Sequence, residues 1–361
     1  MMHHDDYIAR CLELAEGGIG FVHPNPLVGC VIVNKGKVVG EGFHSKFGGR
    51  HAEIMALKNA GRKARGGTLY VNLEPCSHHG KTPPCTDAII RSGIRTVVAS
   101  SRDPNPLVAG RGFRRLRQAG IRVMTGTLRR EARELNEKFF KFMETGMPFV
   151  GMKVAQTVDG KIADSRGTSQ WITSDVARAY GHVLRSSYDA VLVGARTIRM
   201  DNPSLTVRAV KGRNPVRVVV DGAFSIDARS KILRNSEAET VVLTSSRSLR
   251  AQSNKAVVLE RRGVQVLGLD SGRTIEPAAI LKVLAELGIT SVLIEGGGAT
   301  LQPFLREKKI DKIHCFVAPK LLGSGVTGVQ IDGILLRNAR RIDDMTVSIL
   351  GDDLLLEGTL R

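Results

Sequence analysis

Four residues of the chain have the types and spacing of a metal site with an acid beside it. His51 and Glu53 are two positions apart, and Cys76 and Cys85 bound a proline-rich loop, C-S-H-H-G-K-T-P-P-C. One imidazole and two thiolates suit zinc. Three protein ligands leave the fourth position open, as in a catalytic zinc site. We therefore expect His51, Cys76 and Cys85 to bind Zn²⁺.

Glu53 is expected to lie beside this metal without binding it. Zinc lowers the pKa of a bound water to about 7, and a nearby carboxyl can carry the proton of that water to a departing amine. Hydrolytic deamination needs this pairing, so Glu53 is predicted to be catalytic. The alternative is a structural zinc with His78 or His79 as its fourth ligand, which leaves Glu53 without a role.

The length and composition of the chain indicate two ordinary domains. A chain of 361 residues is too long for one typical core, and no window approaches the roughly 20 apolar residues that span a bilayer. The N-terminus is polar and acidic, so we expect a cytoplasmic location without membrane contact. Five cysteines do not make a disulfide framework, and Cys11, Cys30 and Cys315 are expected to be buried thiols.

The net charge of +18 predicts an anionic partner. The basic excess is spread over both halves of the chain instead of lying in a tail. Aromatic residues make up only 4%, which is little material for stacking nucleic-acid bases. The dense basic run at 111–117 is expected to be a solvated helix face. A phosphorylated small molecule is therefore favoured over nucleic acid.

The elements that must position the first site follow an α/β pattern. After a hairpin, strands alternate with helices, which is typical of a layered α/β sheet. Glycine, methionine and proline at 146–148 mark the end of this domain, predicted as 1–146. The expected elements are a helix at 5–16, strands at 30–33 and 37–43, a helix at 51–60, a strand at 68–73, a helix at 86–93, a strand at 96–100, a helix at 112–120, a strand at 121–125 and a helix at 130–145.

The remainder, 147–361, is predicted to be a second α/β domain with its own sheet. Its strands are expected at 149–155, 190–194, 216–221, 240–244, 264–269, 291–295 and 313–318, with helices at 175–186 and 276–287. The clearest local signal is E-G-G-G at 295–298, between a strand and a helical pattern that runs to Lys308. Such a turn lets backbone amides approach a phosphate, although tight turns use glycine too. It is not G-x-G-x-x-G, so it does not predict a Rossmann fold.

Motifs in the first half resemble a known family. H-x-E followed by P-C…C is typical of zinc-dependent nucleoside and nucleobase deaminases, although the cysteines here are nine positions apart instead of three. The long cysteine loop, H-P-N-P-L-V-G-C-V-I-V (23–33) and D-P-N-P-L-V-A-G-R-G (103–112) resemble the deaminase of riboflavin biosynthesis. The resemblance implies that the pyrimidine and its ribose phosphate are surrounded by Asn25, His44, Lys81 and Asn105.

Motifs in the second half are similar to the reductase domain joined to that deaminase. They are K-V-A-Q-T-V-D-G-K-I-A (153–163), S-Q-W-I-T-S (169–174), R-M-D-N-P-S-L-T-V-R (199–208), E-G-G (295–297) and A-P-K-L-L-G (318–323). The whole chain thus resembles the bifunctional deaminase–reductases of riboflavin biosynthesis. That family implies a cytidine-deaminase-like domain and a dihydrofolate-reductase-like domain. It also implies deamination of a phosphoribosylamino-diaminopyrimidine, then reduction of its ribosyl to a ribityl group with NADPH.

The resemblance also implies the reductase residues. Facing the substrate would be Lys153, Ser169, Arg185, Leu205, Arg208 and Glu295. Holding the dinucleotide would be Ala155, Trp171, Thr197, Asp201, Gly297, Gly298, Ala299, Thr300, Leu301, Gln302 and Pro303. The guanidinium groups of Arg185 and Arg208 match phosphate oxygens. Asp201 is the first candidate for the reductase catalyst.

Three alternatives stay open for the second half. Trp171 could pack in the core, and Asp159 and Asp201 could be turn or cap residues. Residues 222–290 match no motif, and Arg247 is the candidate to bind the extra phosphate of NADPH.

At the level of the whole protein, the alternatives are a nucleic-acid-editing deaminase with an accessory binding domain and a non-catalytic regulator. A homo-oligomer, a dimer or a tetramer, is expected.

Overall fold

The structure is a computed structural model of the chain, and it describes residues 3–78, 83–270, 274–329 and 336–360. The chain divides into two compact units, Met1–Gly146 and Met147–Arg361. Two residues named from the sequence, His79 and Lys81, lie outside the described residues. Among the described helices, not one combines the length and the apolar character that crossing a membrane requires.

The first unit alternates helices with the strands of one sheet. In chain order its elements are α1 His4–Glu16, β1 Gly29–Asn34, β2 Lys37–Phe43, α2 Ala52–Ala60, a 3₁₀ helix Gly61–Ala64, β3 Thr68–Leu73, α3 Cys85–Ser92, β4 Thr96–Ser101, α4 Arg111–Gln118, β5 Arg122–Thr125, α5 Arg129–Leu135 and α6 Glu137–Thr145. The five strands lie in the order β2-β1-β3-β4-β5. β1 is antiparallel to β2 and β3, whereas β3, β4 and β5 are parallel.

Helices cover both faces of this sheet because successive strand residues point to opposite sides. On β1, Cys30 and Ile32 pack in a core with α2, α3 and α4. The intervening Val31 and Val33 pack in a second core with α1. Cys11 and Cys30 are buried free thiols, as the sequence predicts, whereas Cys315, predicted with them, is only partly buried. The layered α/β prediction for this half is confirmed.

The helix predicted at 130–145 is two helices, because the helical conformation is interrupted at Asn136. Asn136 has φ −108° and ψ 21° and is 4% exposed. Its side-chain amide bonds the backbone of Leu27, with Leu27 N to Oδ1 at 2.8 Å and Nδ2 to Leu27 O at 2.9 Å. The sequence pattern carries no sign of this distant partner.

The second unit contains one nine-stranded sheet with helices on both faces. Its elements are β6 Phe149–Thr157, β7 Lys161–Ala163, α7 Asp175–Ser187, β8 Ala190–Gly194, α8 Ala195–Asp201, β9 Val216–Val220, α9 Lys231–Arg234, β10 Thr240–Ser245, α10 Ser246–Ala251, α11 Ser253–Glu260, β11 Val264–Leu269, α12 Pro277–Glu286, β12 Ser291–Ile294, α13 Gly298–Arg306, β13 Lys312–Ala318, β14 Val326–Thr327, a 3₁₀ turn Leu336–Asn338, β15 Ile342–Leu350 and β16 Asp353–Leu360.

The strand order is β11-β10-β9-β8-β12-β6-β13-β16-β15. The first seven strands are parallel, and the hairpin β15–β16 adds two antiparallel strands. One face packs against α12 and α13, and the other against α8, α9 and α11. The order of the chain reverses around β8, β12 and β6. In open α/β sheets this is where a crevice forms beyond the carboxyl ends of the strands.

Candidate active sites

The first candidate site lies at the start of α2 and beyond the end of β3. His51 precedes α2, Cys76 follows β3, and Cys85 is the first residue of α3. α2 lies directly against β2 because glycines there have no side chains: a Cβ on Gly40 would lie 2.4 Å from the carbonyl oxygen of Ala56. Close packing of the helix on the sheet thus fixes where His51 lies.

The three predicted ligands converge. His51 Nδ1 lies 3.3 Å from Cys85 Sγ and 3.6 Å from Cys76 Sγ. All three donor atoms lie within 4.8 Å of one another, close enough to bind one ion. An imidazole with two thiols is the donor set that zinc prefers. His78 is exposed and does not belong to this cluster, so the structure does not support it as a fourth ligand.

The two thiols differ in their acidity. The Cys85 thiol and backbone N–H, which lies 3.4 Å from Cys76 Sγ, lower the pKa of Cys76 to about 4. The hydrogen bond to Cys76, together with burial, raises the pKa of Cys85. These surroundings favour the thiolate form of Cys76, and metal binding requires both cysteines to be deprotonated.

Glu53 is buried in the first turn of α2, next to the metal cluster. Burial and the charge of Cys76 raise the pKa of its carboxyl to about 7. It also forms a hydrogen bond with the Cys85 side chain. The carboxyl thus lies beside the cluster without belonging to the ligand set, where the sequence predicts it.

Asn25 and His44 form a polar pair next to the metal cluster. His44 is buried, with Nδ1 3.0 Å from the carbonyl of Arg50 and Nε2 3.0 Å from Asn25 Nδ2. The first contact requires a proton on Nδ1, so Nε2 accepts a hydrogen bond from Asn25. Burial lowers the pKa of His44, which favours this neutral form. Its ring meets that of His51 edge-on at 5.5 Å.

Asn105 lies in a loop that a buried carboxylate holds in place. The oxygens of Glu74 accept the backbone N–H groups of Asp103, Gly110 and Phe113 at 3.2, 2.9 and 3.1 Å. The side-chain oxygen of Asn105 accepts the N–H of Leu107 within the same loop. Glu74 was not predicted from the sequence, although an acid at the end of a buried strand, two residues before Cys76, was a usable signal.

The second candidate site is a cavity of about 660 Å³ in the second unit, beyond the carboxyl ends of β6, β8 and β12. Most of the predicted reductase residues line it, namely Lys153, Ala155, Ser169, Trp171, Arg185, Thr197, Asp201, Leu205, Arg208, Glu295, Gly297, Gly298, Ala299 and Thr300.

Four predicted residues are not in the cavity wall. Leu301 is buried in the core, because it lies on the sheet side of α13. Gln302 and Pro303 continue that helix and are not part of the lining. Arg247, on exposed α10, is not part of it either.

A buried ion pair organises the cavity floor. Arg185 donates to Glu295 through Nε at 2.7 Å and Nη2 at 2.8 Å. Burial alone would raise the pKa of Glu295, but Arg185 holds it below its ordinary value. Burial lowers the pKa of Lys153, which lines the same cavity. Because Arg185 is already paired, Arg208 is the more available guanidinium for a ligand phosphate.

Asp201 and Trp171 also face the cavity. Burial raises the pKa of Asp201, against the opposing effect of a hydrogen bond from Ser169. Trp171 is 62% exposed, and the guanidinium carbon of Arg178 lies 4.4 Å from its ring centre. The alternative that Trp171 packs in the core is therefore wrong. Asp159 is a turn residue, because its carboxylate accepts the N–H groups of Leu322 and Gly323.

The glycine turn fits a dinucleotide phosphate. α13 begins at Gly298 with Gly297 as its N-cap, and both line the cavity. A Cβ on Gly297 would have no neighbour closer than 3.9 Å, so the turn presents open backbone to the cavity. Backbone N–H groups at a helix N-terminus favour an anion. The cavity is also lined by four basic residues that were not predicted from the sequence: Arg178, His182, Arg196 and Lys231.

Comparison with known proteins assigns both halves to families. Residues 1–101 match the family model of the cytidine and deoxycytidylate deaminase zinc-binding region. Residues 148–356 match that of the RibD C-terminal domain. The riboflavin biosynthesis protein RibD of Aquifex aeolicus is 46% identical over 97% of this chain and 97% of its own length. The chain belongs to the RibD family.

Other RibD proteins agree along their whole length. The Escherichia coli protein is 39% identical over 91% of both chains. A structure of Acinetobacter baumannii RibD superposes with a TM-score of 0.89 at 37% identity, covering 99% of both chains. A Thermotoga maritima structure, a diaminohydroxyphosphoribosylaminopyrimidine deaminase/5-amino-6-(5-phosphoribosylamino)uracil reductase, has a TM-score of 0.87 at 39% identity and covers 99% of both chains.

Membership of the RibD family confirms the predicted fold class and the predicted bifunctional enzyme. The protein is a zinc-dependent deaminase and an NADPH-dependent reductase of riboflavin biosynthesis. The RibD C-terminal domain takes the place of the accessory nucleic-acid-binding domain considered above, so that alternative is not favoured. A non-catalytic regulator is excluded by the same assignment.

Proposed function

We propose that residues 1–146 remove the amine from 2,5-diamino-6-(5-phosphoribosylamino)pyrimidin-4-one. We propose also that residues 147–361 reduce the ribosyl group of the product to ribityl with NADPH. The name of the Thermotoga maritima enzyme gives these two activities together. The order follows from that name, because the substrate of the reductase is a uracil, the product of deamination.

In the deaminase, each side chain has a role that its surroundings support. His51, Cys76 and Cys85 hold zinc, which when bound supplies an acidic water. Glu53 would carry a proton between water and the departing amine, and a pKa of about 7 suits a group that must both accept and donate a proton at neutral pH. Asn25 and His44 orient the pyrimidine as a hydrogen-bonded pair next to the metal cluster.

Two further residues of the deaminase are assigned through the family motifs. Asn105, in the loop held by Glu74, contacts the pyrimidine or its ribose phosphate. Lys81 supplies a positive charge for the phosphate, and it belongs to the part of the chain that the structure does not describe.

In the reductase, the basic residues of the cavity bind the phosphorylated substrate. Arg208 binds the phosphate, and Arg185 acts with Glu295 as a fixed pair that orients the ribose. Lys153, Ser169 and Leu205 complete the substrate side. NADPH, when bound, supplies the hydride, and its holding groups are Ala155, Trp171, Thr197 and the turn from Gly297 to Thr300.

Asp201 is the proposed proton donor for the reduced sugar. Reduction of the ribosylamine adds hydride to C1′ and breaks the bond from C1′ to the ring oxygen, which must gain a proton to become a hydroxyl, and a carboxyl with a raised pKa keeps that proton to a higher pH. Ser169 holds the carboxyl in place by its hydrogen bond.

The observation that carries the proposal is the convergence of one imidazole and two thiols beside the buried carboxyl of Glu53. The test is to incubate the protein with the diaminopyrimidine substrate, with and without NADPH, while following ammonia release and nicotinamide absorbance separately. Ammonia without NADPH, and NADPH oxidation only after ammonia release, are expected. NADPH oxidation with no ammonia release would contradict the order.

The predicted homo-oligomer is part of the proposal, and the edge strand β15 supports it. Met345, Val347 and Ile349 on this strand are 56%, 57% and 77% exposed. An apolar row on an unpaired strand edge favours pairing with another chain. Light scattering of the intact protein tests the predicted homo-oligomer, with a monomer as the contrary result.

Location in the cytoplasm stays a prediction.

A further inference from the structure

The segment that carries Asn25 into the deaminase site is held by a residue 109 positions further along the chain. Leu27 N donates to Asn136 Oδ1 at 2.8 Å, and Asn136 Nδ2 donates to Leu27 O at 2.9 Å. The amide thus pairs with the backbone of Leu27 as a neighbouring β-strand would. A primary amide offers a donor and an acceptor side by side, and a carboxylate or a hydroxyl does not offer both in this geometry.

A second buried amide holds the same segment from the sheet. Asn72 on β3 accepts the N–H of Gly29 at 2.9 Å and donates to Leu27 O at 2.9 Å. The carbonyl oxygen of Leu27 therefore accepts two hydrogen bonds, one for each lone pair. Asn72 belongs to the rigid core of the unit, at 0% exposure, whereas Asn136 is the part of this clamp that comes from the α5–α6 break.

The clamp is connected to both members of the polar pair at the site. Asn25 is two residues before Leu27 and donates to His44 Nε2 at 3.0 Å. Val28, the next residue after Leu27, accepts the backbone N–H of His44 at 2.9 Å. A shift of Leu27 therefore displaces Asn25 through the chain and His44 through a hydrogen bond.

The position of Asn136 in the chain separates it from the zinc-binding region. The match to the deaminase family model ends at residue 101, and Asn136 interrupts what would otherwise be one helix of charged and apolar residues. Breaking a helix gives up backbone hydrogen bonds, and here the break brings the amide to Leu27.

We propose that Asn136 is a positioning residue for the deaminase, which acts through Leu27 to place Asn25 and His44 against the pyrimidine. This inference rests on the roles proposed above for Asn25 and His44. The side-chain hydrogen bonds described for Asn136 are with Leu27 and not with the metal ligands, so we expect its effect to fall on substrate binding. Zinc binding and the reductase are independent of it.

The test is steady-state deamination by Asn136→Ala and by Asn136→Asp in the full-length protein. The Asp variant keeps the volume and the acceptor for Leu27 N–H but sets an oxygen against Leu27 O. For both variants KM for the diaminopyrimidine is expected to rise at least about tenfold with kcat little changed, since small misplacements at a site cost this much. Bound zinc and reduction of the deaminated substrate should match wild type.

A double-mutant cycle with Asn25→Ala separates positioning from a general loss of stability. If Asn136 acts through Asn25, then Asn136→Ala adds little to the KM of Asn25→Ala, because the two effects share one path. Fully additive effects would overturn the proposal. So would an unchanged KM in Asn136→Ala, or loss of zinc in both Asn136 variants, which would make the residue a support of the fold.

Asn34→Ala is the matched control. Asn34 Nδ2 also donates to backbone carbonyls, those of Lys63 and Arg65 at 2.8 and 3.0 Å, but Asn34 is the last residue of β1 and lies outside the site. Its KM is expected to equal that of wild type, and a rise as large as that of Asn136→Ala would overturn the proposal. Failure of the proposed function is distinguishable, because wild-type protein would then release no ammonia.

Discussion

The carboxyl of Glu53 lies in surroundings that disfavour its ionised form. Burial and the nearby Cys76 thiolate both raise its pKa, to about 7. A group with this pKa exchanges a proton in both directions at neutral pH, which a proton shuttle requires. The pKa of an exposed glutamate is about 4.3, so such a residue would be a poor donor to the departing amine.

Replacing Glu53 with Gln is expected to abolish deamination and keep the metal. The amide has almost the same shape but cannot carry a proton, so kcat for ammonia release should fall by about 10²–10⁴-fold. Zinc should remain, because His51, Cys76 and Cys85 are unchanged. Ammonia release and metal content are measured on the same sample.

Glu13→Gln is the control for that variant, because Glu13 is exposed on α1 and pairs only with Arg10 among the partners described for it. Its deamination rate should be that of wild type. Wild-type turnover by Glu53→Gln would refute the shuttle.

Asp201 gives a pH prediction in the reductase. Burial raises its pKa, so the carboxyl stays protonated to a higher pH than an ordinary aspartate and loses its proton as the pH rises further. If it donates the proton, kcat for reduction falls as the pH rises through that pKa. Asp201→Asn should lower kcat by about 10²-fold and remove this limb of the profile.

The pH profile is measured with the deaminated substrate, so that only the reductase is observed. Asp227→Asn is the comparison, because Asp227 is exposed and bonds Arg229. An Asp201→Asn enzyme with the wild-type pH profile would show that another group donates the proton.

The metal ligands could be identified from the sequence. The side chains that form hydrogen bonds with the backbone of distant loops could not. His51, Cys76 and Cys85 were named because imidazole and thiols are rare outside metal sites at such spacing. Glu74 and Asn136 bond main-chain N–H and C=O groups of distant loops. Because nearly every residue has those groups, no sequence pattern marks which loop is contacted, even where the side chain itself stands out, as Glu74 does at the end of a buried strand.

At the scale of elements, the turn between β12 and α13 contains two glycines, Gly296 and Gly297, that differ in how much space a side chain would have. A Cβ on Gly296 would lie 2.5 Å from the Cβ of Thr300, within the protein itself. A Cβ on Gly297 would have 3.9 Å of space to its nearest protein atom. Packing therefore explains the first glycine, and the open space at the second is what the proposed approach of the dinucleotide phosphate requires.

Gly296→Ala is expected to lower the stability of the protein, whereas Gly297→Ala is expected to raise KM for NADPH. Gly296→Ala forces the turn apart and should lower the free energy of unfolding by about 1–3 kcal/mol. Gly297→Ala should leave stability unchanged and raise KM for NADPH, because the methyl group fills space that the dinucleotide phosphate approaches. Thermal unfolding without cofactor and NADPH titration of reduction measure the two effects.

The opposite pattern, with Gly297→Ala unstable and its KM for NADPH unaffected, would contradict the assignment of the cofactor to this turn. Substrate KM should change little in Gly297→Ala, which separates a local effect on NADPH from a general distortion of the cavity.

Several strands were predicted with their observed bounds, and the C-terminal hairpin β15–β16 was missed. β3, β8 and β11 have the predicted bounds. β3 and β8 are mostly continuous apolar runs, as buried strands are, whereas buried and exposed residues alternate at the start of the edge strand β11. β15 was missed since a register shift between Asp343 and Thr346 interrupts its alternation. β16 was missed because Leu354, Leu355 and Leu356 in succession give no period of two.

At the scale of the whole molecule, the sequence predicted a boundary at 146–148, and the structure divides after Gly146. Composition was informative here because two sets of strands and helices each supply a separate core. Net charge was less specific, since a field of +18 attracts anions of every kind. The basic residues that line the cavity, Arg208 among them, favour a phosphate on a small molecule as the anion.

The division into units makes the two activities separable by metal removal. The ligands His51, Cys76 and Cys85 all lie in Met1–Gly146, whereas every residue that lines the second cavity lies in Met147–Arg361. Dialysis of the intact protein against a chelator should therefore abolish ammonia release and leave reduction of the already deaminated substrate unchanged. Added Zn²⁺ should restore the first activity, and Mg²⁺, which prefers oxygen ligands, should not. Loss of both activities on chelation would mean that the reductase depends on the metal unit.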